Sequence, residues 1–571
     1  RGAALGLADR TGEVDLYAAE PAGLADWSRC RVLAVDVDEL ITPYVAGGTL
    51  PKEPEALSPE RRREAVRAAD AEVGQALARI PADAEIVLAG IGDHGSVPHL
   101  RVVMWKRAAG AAGALVGTTS TRREDITVLP DATLTVLAAA GAPAPLTVIG
   151  VPWAAGRVLP LDEAAAHLRR SDLTGTSVRS TTGVFFTGFA IVQVAFYATA
   201  YLLLSRRRRP LAVGVAALGI ASIPVSTYLV NLLPWVTAGQ PVVALVGGVL
   251  ALAGLVLLVA MAGPWRRHPL GPPAVVAGIT AAALVADLLT GTTLQFNSLM
   301  GYTAVVGGRY YGLANIPFAL LATAVLMVTA IVADHLVRGG RRRPAVALVA
   351  TLGVVAMLLA GWPGVGSDFG GVIAFVPGIA VTALLVAGRR VSIVKVIGFC
   401  VLGGVAVSLI AVLDHMRPPA SQTHLGRFVG QVIDGTFLPM IGRKLGAMLN
   451  TMLSPNLMPI VIVGLAFLVF ALLRPGKASA GLLPHAFARA PMLRAGLVGA
   501  LVSGVVGMLV NDSGTAVLSM AVALAVPLVL YAGLRSPVEP VEPVEPVEPA
   551  EVPEPEAGEQ ERHGDPVADP V

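Results

Sequence analysis

The stretch Pro317–Val337, PFALLATAVLMVTAIVADHLV, is an apolar run whose length decides the class of protein to which this chain belongs. A transmembrane helix needs about 20 consecutive, mostly apolar residues, because the hydrocarbon core of a bilayer is about 30 Å thick. The whole chain agrees, since 54% of its 571 residues are hydrophobic, 15% are charged, and the mean hydropathy is +0.68. These values are not those of a soluble globular protein, and they predict an integral membrane protein.

Further apolar runs of similar length lie on both sides of this stretch. We therefore predict an all-α polytopic domain of about 11 transmembrane helices over residues 182–534. The other runs centre on Phe185–Leu204, Leu211–Leu232, Val242–Ala262, Ala274–Thr290, Ala345–Trp362, Gly371–Ala387, Val396–Leu413, Met458–Leu473, Ala495–Val510 and Ala516–Leu534.

Arginine and lysine occupy every second loop between these runs, and this alternation predicts the orientation of the chain. Arg206–Arg209, Arg266-Arg267, Arg341–Arg343 and Arg389-Arg390 are examples. Cytoplasmic loops carry the excess of basic residues in membrane proteins. We therefore predict a multi-pass protein of the plasma membrane whose basic loops and C-terminal tail lie in the cytoplasm. The N-terminal region and the remaining loops, which we call the alternate loops, then lie outside.

The alternate loops hold the candidate residues for binding a substrate. Arginines in loops on the non-cytoplasmic side are unusual, because basic residues are normally concentrated in the cytoplasmic loops. Arginine can bind an anionic head group or phosphate through two parallel hydrogen bonds. The alternative is that these loops are polar simply because water surrounds them. The Thr292–Asn315 loop is too polar to span the membrane. The predicted substrate-binding residues are Arg309, Tyr310, His424, Arg427 and Asp512.

Two acidic residues, Asp287 and Asp334, lie within the apolar runs. An ionisable residue inside a membrane is a functional candidate, because its burial in lipid is costly. Both residues lie near the ends of their runs, however, and Asp334 has His335 and Arg338 beside it. We therefore expect water at the membrane interface to solvate them.

Residues 1–178 have a mixed, charged composition and predict a different kind of domain. Arg31–Asp38 has the pattern of a buried strand, and Ser58-Pro59 gives a helix N-cap followed by proline at the first helical position. Ile86–Ala89 is of strand length, and Asp131–Ala140 has helical spacing. Strands alternating with helices predict an α/β extracytoplasmic domain.

Gly92–His99, Gly-Asp-His-Gly-Ser-Val-Pro-His, directly follows the predicted strand at Ile86–Ala89. Open α/β sheets bind ligands at the carboxyl ends of their strands. Asp93, His94 and His99 are therefore candidate ligands for zinc or manganese, because carboxylate and imidazole suit these ions. The alternative is a polar loop in which the aspartate caps a turn and the histidines lie in solvent.

Gly92–Gly95, followed by His99 and the run Leu100–Trp105, resembles a compressed second half of an alkaline phosphatase superfamily domain. Thr118–Arg123 and Val128–Leu137 resemble the closing element of that superfamily, and Gly141-Ala142-Pro143 resembles its exit. The resemblance covers residues 30 to 145. It implies an α/β fold in which an Asp-His-Gly loop and a later His bind metal for phosphoryl-group chemistry.

Several departures from that family pattern bear on activity. Leu134 stands where the closing element has proline, and Asp36 and Asp38 lie where the family also has a histidine. The family's Thr or Ser nucleophile lies upstream, in sequence that this chain does not contain. The chain begins at Arg1 in mid-pattern, so we expect an N-terminal piece to be missing. The domain is then either degenerate, with partial metal ligands, or part of an enzyme completed upstream.

Phe296–Asn315 and Ser421–Arg427 resemble uncharacterised polytopic membrane proteins of actinobacteria, and no activity comes with that resemblance. The whole arrangement is similar to the membrane-bound phosphoethanolamine transferases, which implies modification of an envelope lipid or glycan by phosphoryl-group transfer. The alternatives are a transporter or flippase-like protein for a lipid-linked or anionic substrate with a non-catalytic outer domain, and a scaffold of the cell envelope.

Residues 535–571 repeat Val-Glu-Pro and are then acidic and proline-rich, which predicts a disordered cytoplasmic tail. The net charge of +3, with no basic stripe interleaved with aromatic residues, argues against a nucleic-acid partner. The two cysteines, Cys30 and Cys400, lie in different regions and do not indicate a disulfide framework.

Overall fold

The computed structural model describes most of the chain between the N-terminal domain and the last apolar helix. The described residues are 4–5, 17–18, 26–27, 30–45, 49–51, 57–91, 98–107, 113–144, 148, 150–206, 210–418, 422–439, 441–442, 446, 449 and 482–535.

The part of the chain that the structure describes contains 10 helices that are long and apolar enough to cross a membrane. They correspond to ten of the predicted runs and confirm a polytopic helical membrane protein. The predicted run Met458–Leu473 lies outside the described residues. The ten helices are α3 (Leu161–Ser205), α4 (Pro210–Leu229), α5 (Pro241–Ala262), α6 (Gly271–Leu289), α7 (Asn315–Arg338), α8 (Arg342–Gly361), α9 (Phe369–Val386), α10 (Ile393–His415), α13 (Pro491–Val510) and α14 (Thr515–Leu534).

Four further α-helices of the described residues lie outside this set of ten. Helix α1 spans Pro59–Leu77 and α2 spans Leu129–Ala139 in the N-terminal domain, while α11 spans His424–Ile433 and α12 spans Leu482–Arg489 in the membrane domain. Helix α1 begins as the sequence predicts, because the Ser58 side chain accepts a hydrogen bond from the backbone N–H of Arg61 at 3.3 Å.

The strands of the N-terminal domain are short, and those described pair only antiparallel. They are β1 (Ala4–Leu5), β2 (Tyr17–Ala18), β3 (Ala34–Val35), β4 (Ile86–Ala89), β5 (Val103–Lys106), β6 (Ala114–Gly117) and β7 (Ala154–Val158). The sheet orders are β2-β1-β3, β4-β5 and β6-β7.

This pairing corrects the setting that we expected for the Asp-His loop. Strand β4 pairs antiparallel with β5, with Val87 opposite Trp105, so residues 90–102 connect two neighbouring antiparallel strands. Such a connection needs no crossover helix, unlike the connection between parallel strands of an open α/β sheet. Of the strand predicted at Arg31–Asp38, only Ala34–Val35 is formed.

Helix α7 lies at the centre of the membrane domain. Of its most apolar window 83% is buried, against 11% for α3 and for α10, so those two helices lie at the periphery of the described part of the bundle. Helix α7 packs against α6, α8, α13 and α14. Helices α9 and α13 approach each other closely at Gly499, where a Cβ atom would overlap Thr382 Oγ1 and the carbonyl oxygen of Gly378.

Helix α3 passes without a break from the N-terminal domain into the bundle, so the predicted boundary near residues 178–182 falls inside one helix. Two carboxylates hold its first half to that domain. Asp172 accepts a hydrogen bond from Leu100 N at 2.8 Å, and Asp125 lies 2.8 Å from His167 Nε2. We call the end of the bundle that meets this domain the domain-side end.

Asp334, on α7, is buried instead of solvated as we expected. Its side chain is 3% exposed, and its Oδ2 accepts a hydrogen bond from Arg338 Nε at 2.7 Å. Its Oδ1 accepts from Met492 N at 3.3 Å. The neighbouring helix α13 therefore provides a donor that a sequence pattern within α7 cannot reveal, and Asp334 has a structural role there.

Candidate functional site

A cavity of about 660 Å³ lies between the N-terminal domain and the domain-side end of the bundle. We call it the arginine cavity, because Arg122, Arg123, Arg417 and Arg427 all line it. The described lining also includes hydroxyl and amide side chains and a single acidic residue, Glu124. Its volume is in the range of small-molecule sites.

Asp131 holds the wall that comes from the N-terminal domain. Its carboxylate is fully buried and accepts hydrogen bonds from Thr118 Oγ1 and Ser120 Oγ, each at 2.8 Å, and from Val151 N at 2.9 Å. These three bonds fix the Thr118–Arg123 loop. The residue that resembles part of a phosphatase closing element thus acts here as a buried acceptor that positions the loop.

Arg123 joins this loop to the membrane domain. Its Nε and Nη2 each donate to the carbonyl oxygen of Tyr310 at 3.2 Å, and Nη2 also lies 3.3 Å from the carbonyl oxygen of Thr292. The guanidinium carbon lies 4.1 Å from the centre of the Phe296 ring. Burial lowers the pKa of Arg123, and the neighbouring Tyr302, Asp125 and Asp287 oppose that change.

Arg122 makes the second contact between the two parts of the chain. Its backbone has a φ of 55°, in the left-handed region that non-glycine residues seldom adopt. This conformation turns the side chain over the Tyr311 ring, 4.5 Å from its centre, and Nη1 donates to the carbonyl oxygen of Gly364. The strained backbone is stabilised by these contacts and by the Thr118–Arg123 turn.

Asp414 organises the wall that comes from the membrane domain. It is 1% exposed, and its Oδ2 accepts hydrogen bonds from Thr423 Oγ1 at 2.6 Å and from the backbone N–H groups of Thr423 and Gly426 at 2.9 Å. Its Oδ1 accepts from Arg417 Nη1 at 2.9 Å. One buried carboxylate therefore fixes both Arg417 and the start of α11, whose first turn carries Arg427.

The Thr292–Asn315 loop is folded into the domain-side end, and Asp287 is one of its anchors. Asp287 is 1% exposed and accepts from Leu294 N at 2.7 Å and from Gln295 Nε2 at 2.9 Å. Asn231 Nδ2 contacts three carbonyl oxygens of the same loop. Our expectation that interfacial water solvates Asp287 is wrong, because the loop that follows α6 folds back and supplies the donors.

The predicted substrate-binding residues fall at different places around this end. Arg427 lines the arginine cavity, and His424 begins α11. Tyr310 contributes its carbonyl oxygen to Arg123; burial raises the pKa of its hydroxyl, and Asp131 raises it further. Arg309, Tyr310 and Asp512 are not among the described lining residues. Arg309 Nη1 donates to Leu313 O at 2.7 Å, and Asp512 Oδ1 accepts from Asn315 Nδ2 at 2.6 Å.

Of the predicted metal ligands, only His99 lies within the described residues. Its Nδ1 lies 2.8 Å from Asp172 Oδ2. Such pairing with a carboxylate is common for a metal-binding histidine, and also for a structural one. Among the residues that the structure describes, no group of three or more His, Cys, Asp or Glu side chains is placed to hold a metal ion. Zinc or manganese at Asp93, His94 and His99 stays a prediction.

Most of the cavity lining was absent from the predicted site. The sequence singled out Arg427, but it gave Arg122 and Arg123 no binding role and did not select Arg417 among the residues around it. The sequence feature that could have indicated this lining is the presence of basic side chains both in Thr118–Arg123 and in the alternate loops. That signal becomes useful only once the two segments are known to meet.

Comparison with protein-family models, with curated proteins and with solved structures found no match to this chain. The resemblance to the alkaline phosphatase superfamily therefore rests on the quoted motifs alone. What the structure supports is a polytopic helical membrane protein with a small strand-containing region before the first of the ten described spans.

Proposed function

We propose that this membrane protein binds the phosphate-bearing, anionic group of an envelope lipid or lipid-linked glycan in the arginine cavity. The observation that carries the proposal is the convergence of Arg122, Arg123, Arg417 and Arg427 around one cavity of about 660 Å³, with Glu124 as the single acidic residue of the described lining. Arginine binds phosphate oxygens through its planar fork of donors.

The four arginines contribute in different ways. Arg122 and Arg123 donate to main-chain carbonyl oxygens, which are uncharged, so these hydrogen bonds do not neutralise the positive charge of either side chain. Arg417 is paired with Asp414 and is largely neutralised. Arg427 has no acceptor among the described residues, so it is the strongest candidate for a direct bidentate contact with the anion.

The location of the cavity supports a ligand outside the cytoplasm. The arginine-rich loops lie at the other end of the bundle, where Arg535 Nη2 donates to the carbonyl oxygen of Arg266 at 3.3 Å. By the positive-inside rule that end faces the cytoplasm. The N-terminal domain and the cavity are then extracytoplasmic, where the lipids and glycans of a cell envelope are available.

Recognition of the anion precedes both of the activities that the sequence suggests, phosphoryl-group transfer and the transport of a lipid-linked or anionic substrate. Phosphoryl transfer of the kind that the resemblance implies would need a nucleophile and bound metal ions, for which Asp93, His94 and His99 are the candidate ligands, to stabilise the charge on the transferred group. The metal part of the proposal is tested by measuring zinc and manganese in the purified protein. We expect stoichiometric metal in the wild type and its loss in the Asp93→Ala/His94→Ala variant. A wild type without metal contradicts phosphoryl transfer and leaves a binding or translocating protein.

The binding proposal is tested by isothermal titration calorimetry of the detergent-solubilised full chain with dihexanoyl phosphatidic acid. A hydrogen bond between charged groups contributes about 1.5–3 kcal/mol, so Arg427→Gln should weaken binding at least about tenfold. The matched control is Arg343→Gln, which removes an exposed arginine at the opposite end and should leave the affinity unchanged. Equal affinities of Arg427→Gln and the wild type would contradict the proposal.

A further inference from the structure

Helix α11 has one continuous apolar face. Leu425, Phe428, Val429, Val432 and Ile433 follow the spacing that places side chains on a single side of a helix. The first three are half-buried, whereas Val432 is 45% exposed and Ile433 is 70% exposed. The apolar face therefore extends from the protein into its surroundings toward the end of the helix.

The opposite side of α11 is polar. Arg427 and Asp434 are seven residues apart and lie about two helical turns from each other on that side. Arg427 lines the arginine cavity, and Asp434, at the end of the helix, is exposed. The helix thus separates an apolar surface from a cationic cavity.

The position of α11 next to a peripheral transmembrane helix indicates what covers its apolar face. Helix α11 packs on α10, and His415 Nδ1 lies 2.9 Å from the carbonyl oxygen of Gly426. Leu413 and Met416, at the end of α10, are 54% and 76% exposed. Exposed apolar residues at the end of a membrane span mark the boundary of the hydrocarbon core, and α11 begins directly beyond this boundary.

We infer that α11 lies in the membrane interface with its apolar face in the bilayer, so that the arginine cavity opens at the depth of the lipid head groups and takes its anion from a membrane lipid. This inference rests on the proposed function and adds the position of α11 in the membrane interface and the depth at which the cavity opens. An amphipathic helix with basic residues on its polar side is the usual form of an interfacial helix. The one arginine of α11, Arg427, also attracts anionic lipids electrostatically.

The position of α11 is tested by spin labelling of the full chain in nanodiscs, in a Cys30→Ser/Cys400→Ser background. Labels are placed at Ile433→Cys and, as the matched control on the opposite side, at Asp434→Cys. We expect the label at 433 to collide mainly with oxygen, which concentrates in lipid, and the label at 434 to collide mainly with a water-soluble nickel chelate. Equal nickel accessibility at both positions would overturn the inference.

The source of the anion is tested by competition. Fluorescently labelled phosphatidic acid is bound to the protein in nanodiscs, and unlabelled phosphatidic acid or inorganic phosphate is added. We expect displacement by the lipid at concentrations at least 100-fold lower than by inorganic phosphate. Equal potency would overturn the inference while leaving the proposed anion site intact. Two other results would instead contradict the proposed function: no specific binding of the labelled lipid, or binding that Arg427→Gln does not weaken.

Discussion

The guanidinium of Arg123 lies 4.1 Å from the centre of the Phe296 ring, and this contact joins the N-terminal domain to the Thr292–Asn315 loop of the membrane domain. The same guanidinium donates to the carbonyl oxygens of Tyr310 and Thr292. One side chain therefore holds two parts of the loop and closes one side of the arginine cavity.

Replacing Arg123 should loosen the contact between the domain and the loop. Arg123→Ala removes the hydrogen bonds, each about 1.5–3 kcal/mol for a charged donor, and a cation–π contact of about 0.5–2 kcal/mol. We expect faster hydrogen exchange of the loop amides around Gly312, measured by mass spectrometry on the solubilised protein.

A second arginine of the N-terminal domain provides the matched control for this measurement. Arg157 lies 3.8 Å from Glu124 in an ion pair whose side chains are 55% and 63% exposed. Such a surface pair contributes little to stability. Arg157→Ala should leave the loop amides unchanged, and equal exchange in Arg123→Ala and the wild type would show that Arg123 does not hold the loop.

Asp414 should affect anion binding by positioning Arg417 and α11. Asp414→Asn removes a negative charge near the cavity, and the charge change alone would strengthen anion binding. The asparagine amide, however, cannot accept all the donors that the carboxylate accepts, so we expect Arg417 and the start of α11 to shift. The predicted net result is weaker binding of dihexanoyl phosphatidic acid, by about tenfold.

Asp434→Asn is the control that distinguishes the loss of a negative charge from the loss of the hydrogen bonds that position Arg417 and α11. It removes a carboxylate from the exposed end of the same helix, outside the described lining of the cavity. We expect its affinity to equal or slightly exceed that of the wild type. A gain in affinity for Asp414→Asn would mean that Asp414 acts through its charge and not by holding the helix.

The stability of the folded state should depend on pH because of the buried side chain of Asp368. It is the N-cap of α9, where Oδ1 accepts from Gly371 N at 3.0 Å, and burial raises its pKa to about 6, with Arg309 and the Gly371 bond opposing. The folded state therefore holds this proton more tightly than the unfolded state. Its contribution to stability is present below a pH of about 4 and is lost as the pH rises through about 6.

Thermal unfolding at pH 5 and pH 7.5 measures this contribution. Other groups titrate over the same range, so the comparison is between the wild type and Asp368→Asn, which keeps an uncharged side chain at both values. We expect the loss of Tm from pH 5 to pH 7.5 to be smaller in Asp368→Asn. An identical loss in both proteins would contradict a raised pKa at Asp368.

The membrane part of the fold was predictable because its signal is local. Each span is a continuous apolar run, and length with composition is enough to identify it, as for Pro317–Val337 within α7. The polar Thr292–Asn315 loop was also recognised as a segment that does not span. By contrast, the roles of Asp287 and Asp334 depend on donors from another segment, Gln295 and Met492 in these cases, which no periodicity within a helix reveals.

The candidate site was only partly predictable for the same reason. Arg427 was identified from its unusual place in an alternate loop, and it lines the cavity. Arg122 and Arg123 lie far away in the sequence and reach the site through contacts with Tyr311 and Phe296. Their role depends on the buried carboxylate of Asp131, which the motif resemblance assigned to a different purpose.

Native mass spectrometry of the full chain released from nanodiscs measures whether the arginine cavity holds one anionic lipid. We expect one tightly retained phosphate-bearing lipid on the wild type and on Arg343→Gln, and its loss from Arg427→Gln. The same number of retained anionic lipids on all three proteins would contradict the binding of a lipid in this cavity.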